Sequence, residues 1–561
     1  MIVFWEPEEK PLKLNAVQMR IARASFEEDG KLQPVLNQLG ARTEEIALTA
    51  IAAKLGIPVV NLAKSTVPED ALVNFPTKLV HRRNVFPLGV QSDGALYVAT
   101  CNPFDLSLID EVSAATGLPT VPVVAFPNEL AKLIKARLGV GAETIDGLIE
   151  QTSDVEVLED LDWDQSGDAQ MAQEASVVRL VNDILTEAIE SGTSDVHIEA
   201  QETGMRIRYR IDGVLQTQPT PPEINRFQSA IVSRLKIMAR LNIAEKRIPQ
   251  DGRIKIKVSD REVDLRVSII PMLHGEGIVM RILDKDRMNF TLRGIGMDED
   301  VYQAFGKLIS LPHGIILVTG PTGSGKTTTL YSALNEIKSD DTKIITTEDP
   351  IEYQLDGINQ IQVHTKVGLT FAASLRAILR HDPDVVLVGE IRDFETAENA
   401  IQASMTGHLV FSTLHTTDAA GAYTRMIDMG VEPFLVGTTV EGIMAQRLAR
   451  RLCKHCKRPW KPRLEELPHD FPKELLETGT IYKPVGCREC RDSGYAGRVA
   501  LYELLIPNDE IRRLAGEKAP SIDVKRVARA NGMATLRDNG WKKVGLGITS
   551  VDEVVRVAKE D

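Results

Sequence analysis

The stretch Gly320-Pro321-Thr322-Gly323-Ser324-Gly325-Lys326-Thr327 has the spacing G-x-x-x-x-G-K-[ST]. An apolar run, HGIILVT, precedes it. Helical spacing follows it, in Thr328, Leu330, Ala333, Leu334 and Ile337. Gly320, Gly323 and Gly325 let the backbone curl until its N–H groups point at phosphate oxygens. The helix N-terminus adds its dipole. Lys326 supplies a point charge for the β/γ-phosphates, and the Thr327 hydroxyl a ligand for Mg²⁺. Residues 320–328 are therefore read as the binding segment for ATP and Mg²⁺. A glycine-rich turn without a ligand would not require every motif position and both flanking elements to agree.

Further acids and two histidines follow other apolar runs. TTEDPIEY places Glu348, Asp349 and Glu352 past one strand, and DVVLVGEIRD places Glu390 past another. GHLVFSTLHTT sets His408 and His415 at either end of a fourth, where His415 could sense the γ-phosphate. A Mg²⁺-nucleotide site needs one carboxylate near the metal's water shell and one to orient or deprotonate the attacking water. Any one of these residues could be a cap or a surface acid. Together they favour hydrolysis over nucleotide binding alone. The usual Walker B strand ends in Asp; here Glu390 follows LVG, so its contact with Mg²⁺ is either direct or through water.

Two other groups could do chemistry. Arg206, Arg208, Arg210, Arg253, Arg266 and Arg281 are clustered upstream. For any one of them a solvated cationic face is the plainer reading. The sharper one is an arginine finger that neutralises γ-phosphate charge across a subunit boundary, for which Arg253 and Arg266 are the candidates. Cys453, Cys456, Cys487 and Cys490 form two CxxC pairs, read as a closed four-thiolate zinc site. His455 is not needed as a ligand. A redox CxxC would call for a single pair at a helix start.

Positioning these residues takes several domains; 561 residues suggest about three to five. Buried-looking strands at 314–319, 343–347, 384–388 and 409–413 alternate with helical stretches. That order implies a doubly wound, mostly parallel α/β sheet that binds ligands at its strand carboxyl ends. Residues 175–290 read as an α+β domain. SVVRLVNDILTEAIE is helical, and MRIRYRIDG, GRIKIKV and EVDLRVSII alternate as antiparallel strands. Residues 141–174 read as an acidic, solvated tether, with no Lys or Arg from 143 to 174. Residues 1–140 read as a small α+β module in which Cys101 is a lone structural thiol. The zinc insert spans 450–495, and a helical part spans 496–561.

Composition narrows the class. The net charge of −13 and 5% aromatic content disfavour a general nucleic-acid binder. No apolar run reaches the roughly 18 residues of a membrane span. The start, MIVFWEPEEKPLK, lacks an apolar core for a secretory signal. The expected location is cytoplasmic.

The motif series GPTGSGKTTTLY, TTEDPIEYQLDGINQIQV, LRAILRHDPDVVLVGEIRD, TGHLVFSTLHT and AQRLARRLCKHC resembles the type II secretion / type IV pilus assembly ATPases, the secretion branch most of all. The likeness runs from about residue 175 to the end. It implies a RecA-like P-loop domain preceded by a PAS-like small domain, assembled as a homohexameric ring with the nucleotide between the two. The Walker A maps to 320–327, the aspartate box to 346–353, the Walker B to 384–390 and the histidine box to 407–415. In that mapping Glu352 activates water with Glu348 close by, and Arg253 and Arg266 reach phosphate from the small domain. The four cysteines match the family's zinc element. The resemblance further implies an N-terminal domain docked on the cytoplasmic part of an inner-membrane protein. It also implies a polytopic platform protein driven by the ring, hence peripheral membrane attachment. Some relatives bind cyclic di-GMP through N-terminal repeats beginning Arg-Leu-Gly. KLQPVLNQLGARTEE lacks that pattern, and RLG stands only at 137–139, so cyclic di-GMP binding is doubtful.

Four functions compete: a motor for type II secretion, a motor for type IV pilus extension, a RecA-like nucleic-acid motor, and a nucleotide-responsive scaffold that does not hydrolyse. Charge argues against the third. Intact Lys326, Thr327, Glu352 and Glu390 argue against the fourth.

Overall fold

A computed structural model describes residues 2–5, 12–28, 32–72, 75–105, 107–138, 175–258, 261–284, 291–478 and 480–559. The acidic stretch read as a tether, and Gly139 of the RLG triplet, lie outside the described residues. The chain divides into two compact units, Met1–Ile282 and Leu283–Asp561.

The first unit opens with helices and a three-stranded sheet. Helix Glu44–Leu55 begins where the Thr43 hydroxyl accepts from the Ile46 N–H, carries Glu44 and Glu45 in its first turn, and stops at left-handed Gly56. Strands β1 (Val85–Val90), β2 (Leu96–Thr100) and β3 (Thr120–Val124) lie in that order, β1 and β2 antiparallel, β2 and β3 parallel. Cys101 packs half-buried against this core. Burial, then the Glu44 charge, push its thiol up to about 12.

A six-stranded sheet completes this unit. Its strands are β4 (Thr193–Gln201), β5 (Gly204–Ile211), β6 (Val214–Thr217), β7 (Gln250–Val258), β8 (Arg261–Met272) and β9 (Gly275–Asp284), ordered β6-β5-β4-β9-β8-β7. Period-two alternation does what it implies. Val196, Ile198, Ile207, Tyr209, Leu265 and Met280 share one core with helices Ala175–Glu190 and Gln228–Met238. Asp195, Arg253, Arg266 and Arg281 instead line a cavity of about 470 Å³.

The second unit is built on β10 (Gly314–Thr319), β11 (Ile344–Glu348), β12 (Asn359–Gln362), β13 (Val385–Val388), β14 (Leu409–Leu414) and β15 (Val440–Leu452). A short antiparallel pair, β16 (Arg458–Trp460) and β17 (Ile481–Lys483), precedes β18 (Tyr495–Leu505). The large sheet is ordered β12-β11-β13-β14-β10-β15-β18 and is parallel except for β18, which runs antiparallel to β15. Strands β10 and β13 are buried at every position, as strands covered on both faces must be. One core holds Leu317, Val386, Val410, Ile443 and Leu501; the other holds Val318, Leu330, Leu334, Leu387 and Tyr502.

Within 496–561, read as helical, residues up to Leu505 belong to β18, and helices begin at Asp509. RVALYELL is apolar on both faces of the sheet, so its periodicity does not separate a buried strand from a buried helix.

Candidate active site

The P-loop joins β10 to helix Lys326–Ile337. Gly320 has φ +149°, and a Cβ there would stand 2.6 Å from both the Gln446 carbonyl oxygen and Ser324 Oγ. At Gly325, φ +88°, a Cβ would meet Gln446 Nε2 at 2.8 Å. The loop therefore curls against β15 where no side chain fits. Lys326 Nζ donates to the carbonyls of Gly320 at 2.8 Å and Pro321 at 3.2 Å. Burial lowers the Lys326 ammonium to about 8, Glu390 opposes the shift, and Arg447 adds to it. Ser324 Oγ is buried with no protein partner. A curled loop, a half-buried ammonium, an unpaired buried hydroxyl and Thr327 at a helix start make a donor set that fits a polyphosphate and its Mg²⁺.

Sheet register brings other strand ends alongside. Thr319 pairs with Leu414, and Val388 with Ser412, so His415 and Glu390 emerge beside the loop. His415 Nε2 lies 3.3 Å from Glu390 Oε2, and Arg392 pairs with the other Glu390 oxygen. Thr319 Oγ1 accepts from the Thr416 N–H at 2.8 Å, which ties the base of the P-loop to the His415 segment. His408 sits at the opposite end of β14, with Nδ1 2.9 Å from the Ala403 carbonyl.

Glu348 and Glu352 part company. Glu348 is 4% exposed and faces into the sheet, where it accepts from the Tyr331 hydroxyl, from Thr346 Oγ1 at 2.6 Å and from Gln360 Nε2 at 3.0 Å. Its carboxylate braces the P-loop helix against β11 and β12. Glu352 stands half-buried in the segment after β11.

Residues that the motif reading passed over also border the loop. Gln446 accepts from Thr329 Oγ1 at 2.8 Å, and Arg447 Nη2 donates to the Thr417 carbonyl at 2.7 Å. The only available signal was their place in AQRLARRLCKHC. Nothing local says that this segment is the strand beside β10.

In the first unit Arg253 and Arg266 are directly opposite across β7 and β8. Facing like charges are unfavourable without an anion or a carboxylate nearby. Asp195 and Asp251 line the same cavity, and Arg281 Nε donates to Asp195 at 2.9 Å.

The four thiols converge. Their sulfurs all lie within 4.8 Å of one another, with Cys453–Cys487 at 3.8 Å, and Cys456–Cys490 and Cys487–Cys490 both at 3.7 Å. A tetrahedron with metal–sulfur bonds of about 2.3 Å has edges near 3.8 Å, so the set fits a structural S₄ site. Gly494 N–H donates to Cys490 Sγ at 3.2 Å and Gly486 N–H to Cys456 Sγ at 3.4 Å. Such amides stabilise thiolates.

A family model for type II/IV secretion system proteins matches residues 170–556, and one for the MshEN domain matches 55–143. The type II secretion system protein E of Xanthomonas campestris pv. campestris is 43% identical over 94% of this chain and 93% of its own length. The type IV pilus assembly ATPase PilB of Myxococcus xanthus is 42% identical over 97% of this chain and 96% of its own. The type II secretion system ATPase E of Vibrio cholerae serotype O1 is 50% identical over 69% of this chain and 76% of its own. The Legionella pneumophila ATPase DotB, 22% identical, shares the fold over 68% of this chain and 95% of its own, with a TM-score of 0.50. Among the described residues no helix is long and apolar enough to cross a membrane. With the P-loop, the strand-end acids, the thiolate cluster and relatives matched along nearly its whole length, the chain belongs to the type II/IV secretion system protein family.

Proposed function

We propose that this protein hydrolyses ATP to ADP and phosphate and that the released energy drives pseudopilus assembly and protein export by a type II secretion system. The observation that carries this reading is the convergence of Lys326, Glu390 and His415 at the carboxyl ends of three neighbouring parallel strands.

Each residue has a distinct task. The P-loop amides and Lys326 hold the β- and γ-phosphates and offset charge that grows as the terminal bond breaks. Thr327 would hold Mg²⁺, with Glu390 bound to it directly or through water. Bound there, the ion supplies charge neutralisation at the phosphates. Glu352 accepts the proton of the attacking water as its oxygen bonds the γ-phosphorus and ADP leaves. His415 orients Glu390 and reads the γ-phosphate. Glu348 positions the P-loop helix. Arg253 and Arg266 grip the γ-phosphate from the small domain, across a subunit boundary of a homohexamer. Loss of that grip on hydrolysis frees the domain to move.

Cys453, Cys456, Cys487 and Cys490 would hold Zn²⁺ as a closed structural site, stapling a segment with little core of its own. The N-terminal module docks on the cytoplasmic domain of an inner-membrane secretion protein, which attaches the ring peripherally to that membrane. The ring works on a polytopic platform protein.

Type IV pilus extension is the second reading, favoured by the pilus assembly relative matched along nearly the whole chain. The deciding experiment measures ATP turnover with purified cytoplasmic domains of a secretion platform protein and of a pilus platform protein. Stimulation by the secretion domain alone supports the first reading. Stimulation by the pilus domain alone overturns it.

A further inference from the structure

Two charged residues outside the phosphate motifs converge on the loop that carries His415. Ala445 pairs with Glu503 and Arg447 with Leu501 across the antiparallel β15 and β18. Arg447 and Glu503 are therefore diagonal neighbours on one face of the sheet. That face is the one packed by Ile443, Leu501 and Leu505, not the one that meets the P-loop helix. Both side chains reach the same stretch of backbone. Arg447 Nη2 donates to the Thr417 carbonyl at 2.7 Å. Glu503 Oε1 accepts from the Ala419 N–H at 2.7 Å. A guanidinium thus takes a carbonyl and a carboxyl oxygen an amide, two residues apart.

The grip is anchored on both sides. Glu503 is 1% exposed, and its second oxygen accepts from the Leu536 N–H at 3.2 Å, at the start of helix Leu536–Gly545. Arg447 Nη1 donates to its neighbour's carbonyl, Gln446, at 2.9 Å, beside Gly320. Upstream of the gripped residues, Thr416 is tied to Thr319, and His415 meets Glu390. Burial raises the Glu503 carboxyl, and the bonds from the Ala419 and Leu536 amides oppose that shift.

We propose that Arg447 and Glu503 are positioning residues that clamp the loop at Thr417 and Ala419 and thereby hold His415 in reach of Glu390. The clamp rests on the reading of Lys326, Glu390 and His415 as the phosphate site. It acts on the rate of the chemical step more than on nucleotide affinity, although Arg447 also stands beside Gly320 of the phosphate loop.

The test uses the full-length protein and measures kcat, KM and ADP affinity for Arg447→Gln, Arg447→Lys and Glu503→Gln, each alone and with His415→Asn. Arg447→Gln should lower kcat about tenfold to a hundredfold, the cost of an ångström-scale misplacement, while ADP affinity changes less than about threefold. Arg447→Lys should recover part of the loss by reaching one carbonyl. With His415→Asn already present, Arg447→Gln should cost little more, because it acts through that residue. Glu503→Gln should behave likewise; should it fail to fold, the Arg447 pair carries the test. Equal kcat losses with and without His415, or an affinity loss matching the kcat loss, would overturn the clamp alone. Turnover surviving Lys326→Ala would overturn the clamp together with the phosphate site.

Discussion

His415 Nε2 stands 3.3 Å from Glu390 Oε2, across the gap between the ends of β14 and β13. The two residues come from strands joined by a helical crossover, yet parallel register sets them side by side. Arg392 holds the other Glu390 oxygen, so this carboxylate is oriented before any ligand arrives. A site arranged in advance does not spend reaction energy on reorganisation.

Lys326→Ala should reduce phosphate release at least about a hundredfold, because it removes the charge set against the β- and γ-phosphates. Steady-state turnover near that of the unmodified protein would refute the phosphate assignment.

The two carboxylates after β11 should respond differently. Glu352→Gln should slow hydrolysis far more than it weakens nucleotide binding. Glu348→Gln places an amide among the donors Tyr331, Thr346 and Gln360, so it should lower thermal stability by about 1–3 kcal/mol. Binding and hydrolysis should then fall together. Thermal melts and nucleotide titrations of both variants check this; a Glu348→Gln protein as stable as its parent would contradict the bracing role.

Arg253→Ala and Lys326→Ala proteins, each inactive, should regain turnover when mixed, because some interfaces then pair an intact arginine with an intact P-loop. Phosphate release is followed across mixing ratios. No recovery at any ratio would mean that the arginine acts within its own chain.

Zinc content, measured by elemental analysis, should be close to one ion per chain and fall sharply in Cys487→Ser, with a lower melting temperature. An unchanged metal content would contradict the four-thiolate site.

Glu553 is buried between Arg450 and Arg556. Burial alone would raise its carboxyl, but bonds from Arg556 and Arg450 outweigh it and bring it from 4.5 to about 2. Because the folded value is the lower one, the stabilisation is present above pH ~4.5, amounts to about 3 kcal/mol, and is lost as pH falls towards ~2. Denaturant melts across that window should show Glu553→Gln less stable at pH 7 and less sensitive to acid. Parallel pH profiles for both proteins would sink the assignment.

Sequence alone determined the parts whose chemistry lies in neighbouring residues. The P-loop was legible because Gly320, Gly325, Lys326 and Thr327 act through local backbone angles and one helix start. The paired cysteines were legible because each CxxC makes its own turn. The alternating strands 205–211 and 261–270 declared one buried and one polar face. The tertiary structure decided which strands are neighbours. The order β13-β14-β10-β15 brings Glu390, His415 and Arg447 to Lys326 from positions more than sixty residues away. It also turned Glu348 inward to Tyr331 and made β18 a strand that a period could not identify. Strand order follows from burying two cores at once, a balance over the whole unit that no short window of residues contains.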